Sequence, residues 1–218
     1  MMLSQDAFIG GTHTMSVTTS WTMSEIFRNP SVMEKACAEL QTVVGDNRLV
    51  QESDLPQLKY LQCIMKETFR LHPAEPLLLP HESVEACKAS GYDIPAKTRM
   101  MVNVYAIGRD PSVWEDPLEF KPERFEEGEI ESKIDVRGQD FVLIPFGSGR
   151  RMCPAVSMAN LVVQFVVASL LHTFQWSLPD GMDPKDLDMT EGMGLTVTRA
   201  VPLRAIATLR LAPSLYDA

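Results

Sequence analysis

The chain has 218 residues, 45% of them hydrophobic and 22% charged, which excludes collagen-like, low-complexity and wholly disordered classes. Twenty Lys and Arg against twenty-nine Asp and Glu give a formal charge of −9, so nonspecific binding to nucleic acid or to an anionic membrane is not expected. A compact chain of this size buries about 70% of its unfolded surface, enough for one large core or two small ones.

Residues 3 to 28 read as a helix, although their many threonines lower its propensity and Gly10 and Gly11 interrupt it. Pro30 and Ser31 restart the chain. Met33, Ala36, Cys37, Leu40, Val43 and Val44 then recur at helical spacing up to Gly45. Ser53 or Asp54 is the expected cap of a further turn, followed by an apolar stripe of Leu58, Leu61, Met65 and Phe69 that ends before Pro73. Short strands are predicted at Tyr92–Ile94 and Met100–Tyr105, and irregular coil from Asp110 to Phe125. Between Glu115 and Asp135 nine acids stand against three bases, which reads as a solvated loop. Helix returns over 157–173, and Leu195–Thr198 with Ala205–Leu211 reads as a hairpin around Pro202.

Cys37, Cys63, Cys87 and Cys153 form no CxxC pair, so a zinc site is not expected, and their low density favours a reducing compartment. The opening MMLSQDAFIGG lacks the basic region and long apolar core of a signal peptide. Leu161 to Leu171 is the longest apolar stretch, broken by Gln164 and Ser169 and too short to span a bilayer.

The densest chemistry lies in PFGSGRRMCPA, residues 145–155. Gly147 and Gly149 allow a tight turn that lets backbone approach something bulky. Arg150 and Arg151 bring positive charge near Cys153, and Pro154 suits the first turn of a following helix. Such a thiol is favoured as thiolate, either a nucleophile or a metal ligand. A small buried cysteine at a helix start is the alternative.

The order of residues carries more. Phe146, Gly149, Arg151 and Cys153 spell FxxGxRxC, and the loop resembles the heme-binding loop of the cytochrome P-450 family. The family pattern continues to a glycine two residues after the cysteine, where this chain has Ala155. Glu67 and Arg70 in KETFRLHP match the family's ExxR on a helix over 55–72. Arg124 in FKPERF, within a coil over 110–135, matches the third member of a Glu–Arg–Arg triad, implied to lock helix to coil. Glu25 and Arg28 satisfy ExxR as well, and read as a solvated i,i+3 pair.

Gly10, Gly11, Thr12, His13 and Thr14 align with the family's (A/G)Gx(D/E)T in the distal helix, here from about residue 3. The resemblance implies that Thr14 supports proton delivery to bound oxygen. His13 stands where an acid is usual: it relays protons, or it is a neutral ring packed on the helix face. His81 in LPHES matches a basic position near a heme propionate, as does Arg151, with an exposed turn histidine as the alternative. Gly10, Gly11, Pro76, Leu77, Leu78, Leu79, Met193 and Leu195 match pocket segments. GYDIPAKT and the segment 29–45 are similar to the plant microsomal branch.

The resemblance implies a mainly α fold with small β-sheets (α+β), the C-terminal half of the cytochrome P-450 fold, closing with a final helix 157–173 and a hairpin 195–211. It implies a heme-thiolate monooxygenase that inserts one atom of dioxygen into an apolar small molecule of plant secondary metabolism. Heme b would be held by Cys153, with electrons from NADPH through NADPH–cytochrome P-450 reductase. A lipophilic or phenolic substrate and the cytosolic face of the endoplasmic reticulum membrane are implied for an intact member, with no membrane anchor expected in this chain. A truncated, catalytically inactive fragment, or a heme-binding or interaction module without turnover, are the alternatives.

Overall fold

The computed structural model describes residues 2–216. Its first helix, α1 (Met2–Arg28), accommodates its threonines, whose hydroxyls bond back along the helix. Thr12, Thr14, Thr18, Thr19 and Thr22 each donate to the carbonyl four residues earlier, at 2.7–2.9 Å. Its C-terminal half is buried through Val17, Trp21, Met23, Ile26 and Phe27.

Helix α2 (Pro30–Val43) begins with Pro30 in its first turn and ends before Gly45, whose φ of 72° is left-handed. The next turn, Glu52–Gln57, is a 3-10 helix capped by Gln51 rather than by Ser53 or Asp54. Asp54 sits at the third position and accepts the Gln51 amide at 2.8 Å, the reciprocal half of a capping box. Pro56 stays in that turn, Leu58 leaves the helical region at φ −81°, ψ 74°, and α3 therefore spans Lys59–Leu71 rather than 55–72. Helix α3 is the centre of the core: Leu61, Ile64, Met65, Phe69 and Leu71 are buried with its polar Glu67 and Arg70.

Beyond Pro73 the chain makes short antiparallel pairs. Strand β1 (His81–Glu82) pairs with β4 (Arg99–Met100), and β2 (Cys87–Ala89) pairs with β3 (Tyr92–Ile94). The strand expected over Met100–Tyr105 stops at Met100. Val102 instead donates to the Leu77 carbonyl at 3.2 Å, and Asn103 accepts the Ala106 amide at 2.9 Å to cap α4 (Val104–Ile107). The coil that follows contains a 3-10 turn at Pro122–Phe125 that packs on α3. Tyr60 of α3 donates to Glu123 Oε1 at 2.6 Å, and Lys35 of α2 reaches Glu126 at 2.6 Å, so part of the acidic run is engaged by the core helices.

Helix α5 (Val156–Thr173) packs on α1, α2 and α3. Its 18 residues are long and apolar enough to cross a membrane by length and composition, beyond what Leu161–Leu171 alone suggested. Val163, Val167, Ala168 and Leu171 face the core, whereas Met158, Leu161, Phe165 and Val166 are exposed on the other side of the same helix. Strand β5 (Phe174–Ser177) pairs with β6 (Ile206–Leu209), from Phe174 with Leu209 to Ser177 with Ile206. The expected hairpin over 195–211 therefore does not form. Its first arm is held elsewhere: the Val197 amide donates to Ala74 O at 2.9 Å, and the Val197 carbonyl accepts from Trp21 Nε1 at 2.8 Å.

Candidate functional site

The loop before α5 is shaped by its glycines. Gly147 and Gly149 have φ of 74° and 71°, the left-handed region where a side chain is strained. The chain doubles back through them, so that the Cys153 amide donates to Phe146 O at 3.0 Å. Phe146 packs edge-on against Phe69 of α3, ring centroids 5.1 Å apart, which ties the loop to the core. Cys153 is a half-buried free thiol beside the start of α5. Ala155 lies at φ −96°, ψ 12°, a conformation open to any residue, so the alanine imposes no backbone strain.

Gly138 supports this loop and was not foreseen. At φ 76°, a Cβ there would lie 2.9 Å from both Gly147 O and Met152 Sδ, and the Gly138 carbonyl accepts from Ser148 Oγ at 2.6 Å. A glycine in an otherwise polar coil gives no sequence signal of such a close approach.

Behind the loop, Glu67 and Arg70 are fully buried. Arg70 Nε and Nη2 donate to the two Glu67 oxygens, each at 2.7 Å, and Arg124 Nε donates to Glu67 Oε1 at 3.1 Å. One carboxylate facing two guanidiniums leaves a positive charge in a dry interior. Backbone carbonyls disperse it: Arg70 donates to Gly108 O, Pro117 O and Glu119 O at 2.5, 2.7 and 2.9 Å. Arg124 donates to Glu115 O and Asp116 O at 2.9 and 3.4 Å. The Lys121 amide adds a further bond to Glu67 Oε1 at 2.8 Å. Gly108 belongs to this assembly, since a Cβ there would strike the Arg70 carbonyl.

The distal-helix motif and the 73–79 segment approach the same region. Gly10 is exposed, and a Cβ on Gly10 or Gly11 would meet nothing within 4 Å. Thr14 Oγ1 donates to Gly10 O at 2.7 Å. His13 is exposed rather than packed on a helix face. Burial pushes the Glu75 carboxyl up, against the opposing pull of the nearby His13. Leu78 takes the left-handed φ of 52°, a strained choice for a leucine, and its Cδ1 lies 3.6 Å from where a Cβ on Gly147 would stand. Leu77, Leu79, Met193 and Leu195 present exposed apolar side chains, while Pro76 lies partly buried and holds the Tyr105 amide at 3.2 Å. His81 on β1 and Arg151 after Gly149 are both exposed.

Glu25 differs from the solvated pair expected with Arg28. It is buried and accepts from His72 Nε2 at 2.7 Å and from the Asn29 side chain at 3.1 Å. The His72 ring in turn stacks on Trp21.

The family model that matches this chain is that of cytochrome P450, over residues 1–203. A flavonoid 3′-monooxygenase of Crocosmia x crocosmiiflora is 49% identical over 96% of this chain and 41% of its own length. A geraniol 8-hydroxylase of Swertia mussotii is 49% identical over 93% of the chain and 40% of its own. Among solved structures, a zebrafish cytochrome P450 with abiraterone superposes with a TM-score of 0.81 at 31% identity, over 94% of this chain and 47% of the other. The chain thus spans about two-fifths of the length of the curated relatives it matches. Cytochromes P450 use heme b and take electrons from NADPH through a reductase. The loop, the buried glutamate and its two arginines, and the match along nearly the whole sequence lead to one conclusion: the chain belongs to the cytochrome P450 family.

Proposed function

We propose that these residues form the C-terminal part of a heme-thiolate monooxygenase acting on an apolar or phenolic small molecule. The observation that carries this reading is Cys153: a half-buried thiol at the end of a doubly left-handed glycine loop, braced by Phe146 against α3. The residues fit heme b. A Cβ at Gly149 would meet nothing within 4 Å, leaving open space beside the loop, and Arg151 and His81, both exposed, would be the partners of the heme propionates.

Bound heme would supply one-electron and dioxygen chemistry, with thiolate ligation favouring O–O cleavage. The chain's own residues do the rest. Cys153 would hold the iron, while Phe146, Gly149, Arg151, Ala155 and His81 hold the macrocycle. Glu67, Arg70 and Arg124 keep α3 and the coil in register beneath the loop. Thr14 holds a proton at Oγ1, shared with Gly10 O, and the hydroxyl oxygen retains capacity to accept another. Burial raises the Glu75 carboxyl near His13, so a carboxyl from another segment stands near the position where the motif carries histidine. Pro76–Leu79 with Met193 and Leu195 would exclude water and bind the apolar part of a substrate, in keeping with the flavonoid and geraniol in the relatives' names.

An intact protein of this kind would sit on the cytosolic face of the endoplasmic reticulum membrane and meet its reductase there. The test is turnover of the heme-loaded protein with NADPH–cytochrome P-450 reductase and labelled dioxygen. One labelled oxygen atom in a flavonoid or monoterpene alcohol product supports the reading; NADPH consumption without labelled product contradicts it.

A further inference from the structure

The apolar ends of the candidate pocket do not hold themselves in place. Met193 is 102% exposed and Leu195 61%, and Leu77 and Leu79 also face outward, so packing contributes little to where they stand. Their positions are fixed at the base of their segments, and there the two segments meet. The Val197 amide donates to Ala74 O at 2.9 Å, joining 192–197 to 73–79. The Val197 carbonyl accepts from Trp21 Nε1 at 2.8 Å, joining both to α1.

Trp21 is itself clamped. The His72 ring lies flat on it, with centroids 4.2 Å apart and planes 4° from parallel. His72 Nε2 is 2.7 Å from Glu25 Oε1, and since an ionised carboxylate only accepts, the ring donates. Trp21 and Glu25 lie one turn apart on α1, so one histidine engages two consecutive turns of that helix. The Arg199 guanidinium lies 5.6 Å from the indole ring centroid and donates to the Asp188 and Val201 carbonyls. The backbones of Glu191 and Arg199 pair as an isolated antiparallel β-bridge at the base of the 192–197 segment, and Glu191 places Oε1 3.9 Å from His72 Nδ1 and 3.8 Å from Arg109.

A purely packing role does not account for this arrangement. A phenyl ring would stack on Trp21 as well, yet His72 is kept with Nδ1 buried and unpartnered, at the cost such an atom carries. What the imidazole adds is a directional bond to a buried carboxylate on the distal helix. We propose that Trp21, Glu25 and His72 form a clasp that sets the pocket segments 73–79 and 192–197 against α1, with His72 a positioning residue for substrate. This rests on the monooxygenase reading for its consequence and on the hydrogen bonds above for its geometry. The hydrogen bonds and ring stacks of the three residues run to one another and to the 192–199 segment rather than to the cysteine loop, so substrate placement and heme ligation should separate.

The test uses the heme-loaded protein and two variants. His72→Phe keeps the stack and removes the bond to Glu25; Trp21→Phe keeps an aromatic ring and removes the bond to Val197. In both, amide exchange over 192–198 should rise about tenfold, as expected for loss of a hydrogen bond in a buried network. The apparent KM should rise about tenfold, the product regiochemistry should change, and the ferrous carbonyl spectrum should remain that of the parent. His72→Gln, which can still donate to Glu25, should recover most of the protection. Unchanged exchange over 192–198 in Trp21→Phe overturns the clasp, even if His72→Phe fails to fold. Raised exchange with KM and regiochemistry unchanged overturns the positioning role. If the parent protein shows no thiolate spectrum, the monooxygenase reading fails while the exchange measurement still judges the clasp.

Discussion

Glu67 Oε1 accepts from Arg124 Nε at 3.1 Å across 57 positions of sequence, and from the Lys121 amide at 2.8 Å. Among the described residues that carboxylate is the one acidic group paired with the two buried guanidiniums, so its removal and theirs are not equivalent. Glu67→Gln leaves both arginines without a counter-charge and should lower stability by about 3–5 kcal/mol. Arg124→Ala leaves Glu67 still paired with Arg70 through two 2.7 Å bonds, and should lower it by about 2 kcal/mol. Denaturant unfolding of the two variants checks the order. A larger loss for Arg124→Ala would show that the arginine, not the carboxylate, is the hub.

Gly138→Ala tests the support beneath the cysteine loop. The left-handed backbone and the 2.9 Å approach to Gly147 O add, giving an expected loss of about 3 kcal/mol. Gly91, also left-handed at φ 85° but with nothing within 4 Å, provides the comparison, and Gly91→Ala should lower stability by about 1 kcal/mol. Equal losses would mean that the contact with Gly147 contributes nothing.

Thiol labelling separates the cysteines. Burial pushes the Cys63 thiol up to about 11, the opposing pull of Lys66 being smaller, whereas Cys87 is exposed on β2. In the folded chain at neutral pH an alkylating reagent should modify Cys87 first and leave Cys63 unmodified until denaturant is added. Early labelling at Cys63 would show that α3 opens.

The turn before α3 carries an acid-sensitive contact. Arg48 donates to both Asp54 oxygens at 2.6 and 2.8 Å and holds the carboxyl below its ordinary value of 3.8. A group depressed on folding contributes stability above its unfolded value, and that contribution is lost as pH falls through the folded value. Asp54→Asn should therefore narrow the stability difference between neutral pH and pH values below 3.8. Denaturation curves at both pH values are the measurement, and an unchanged difference would remove Asp54 from the acid response.

Much of the site was legible because its signals are local. The cysteine loop is one continuous stretch in which each residue type has a separate physical task. Glu67 and Arg70 lie one helical turn apart, and the PERF segment announces Arg124. What escaped the sequence depends on distance along the chain. Trp21 meets Val197 across 176 positions and Glu25 meets His72 across 47, and neither pair has a spacing rule to reveal it. The same contacts defeat the expected 195–211 hairpin, since the first arm had the right composition but found its partners in α1 and at Ala74. Gly138 looks like any loop glycine until its close approach to Gly147 is seen.

The central claim is that Cys153 is the thiolate that holds the heme iron. It is tested most directly by the ferrous carbonyl spectrum of the heme-loaded protein and its Cys153→Ser variant. The parent should show the red-shifted band of thiolate ligation, and the variant should lose that band while its secondary structure persists. A Cys153→Ser protein that keeps the red-shifted band would contradict the claim.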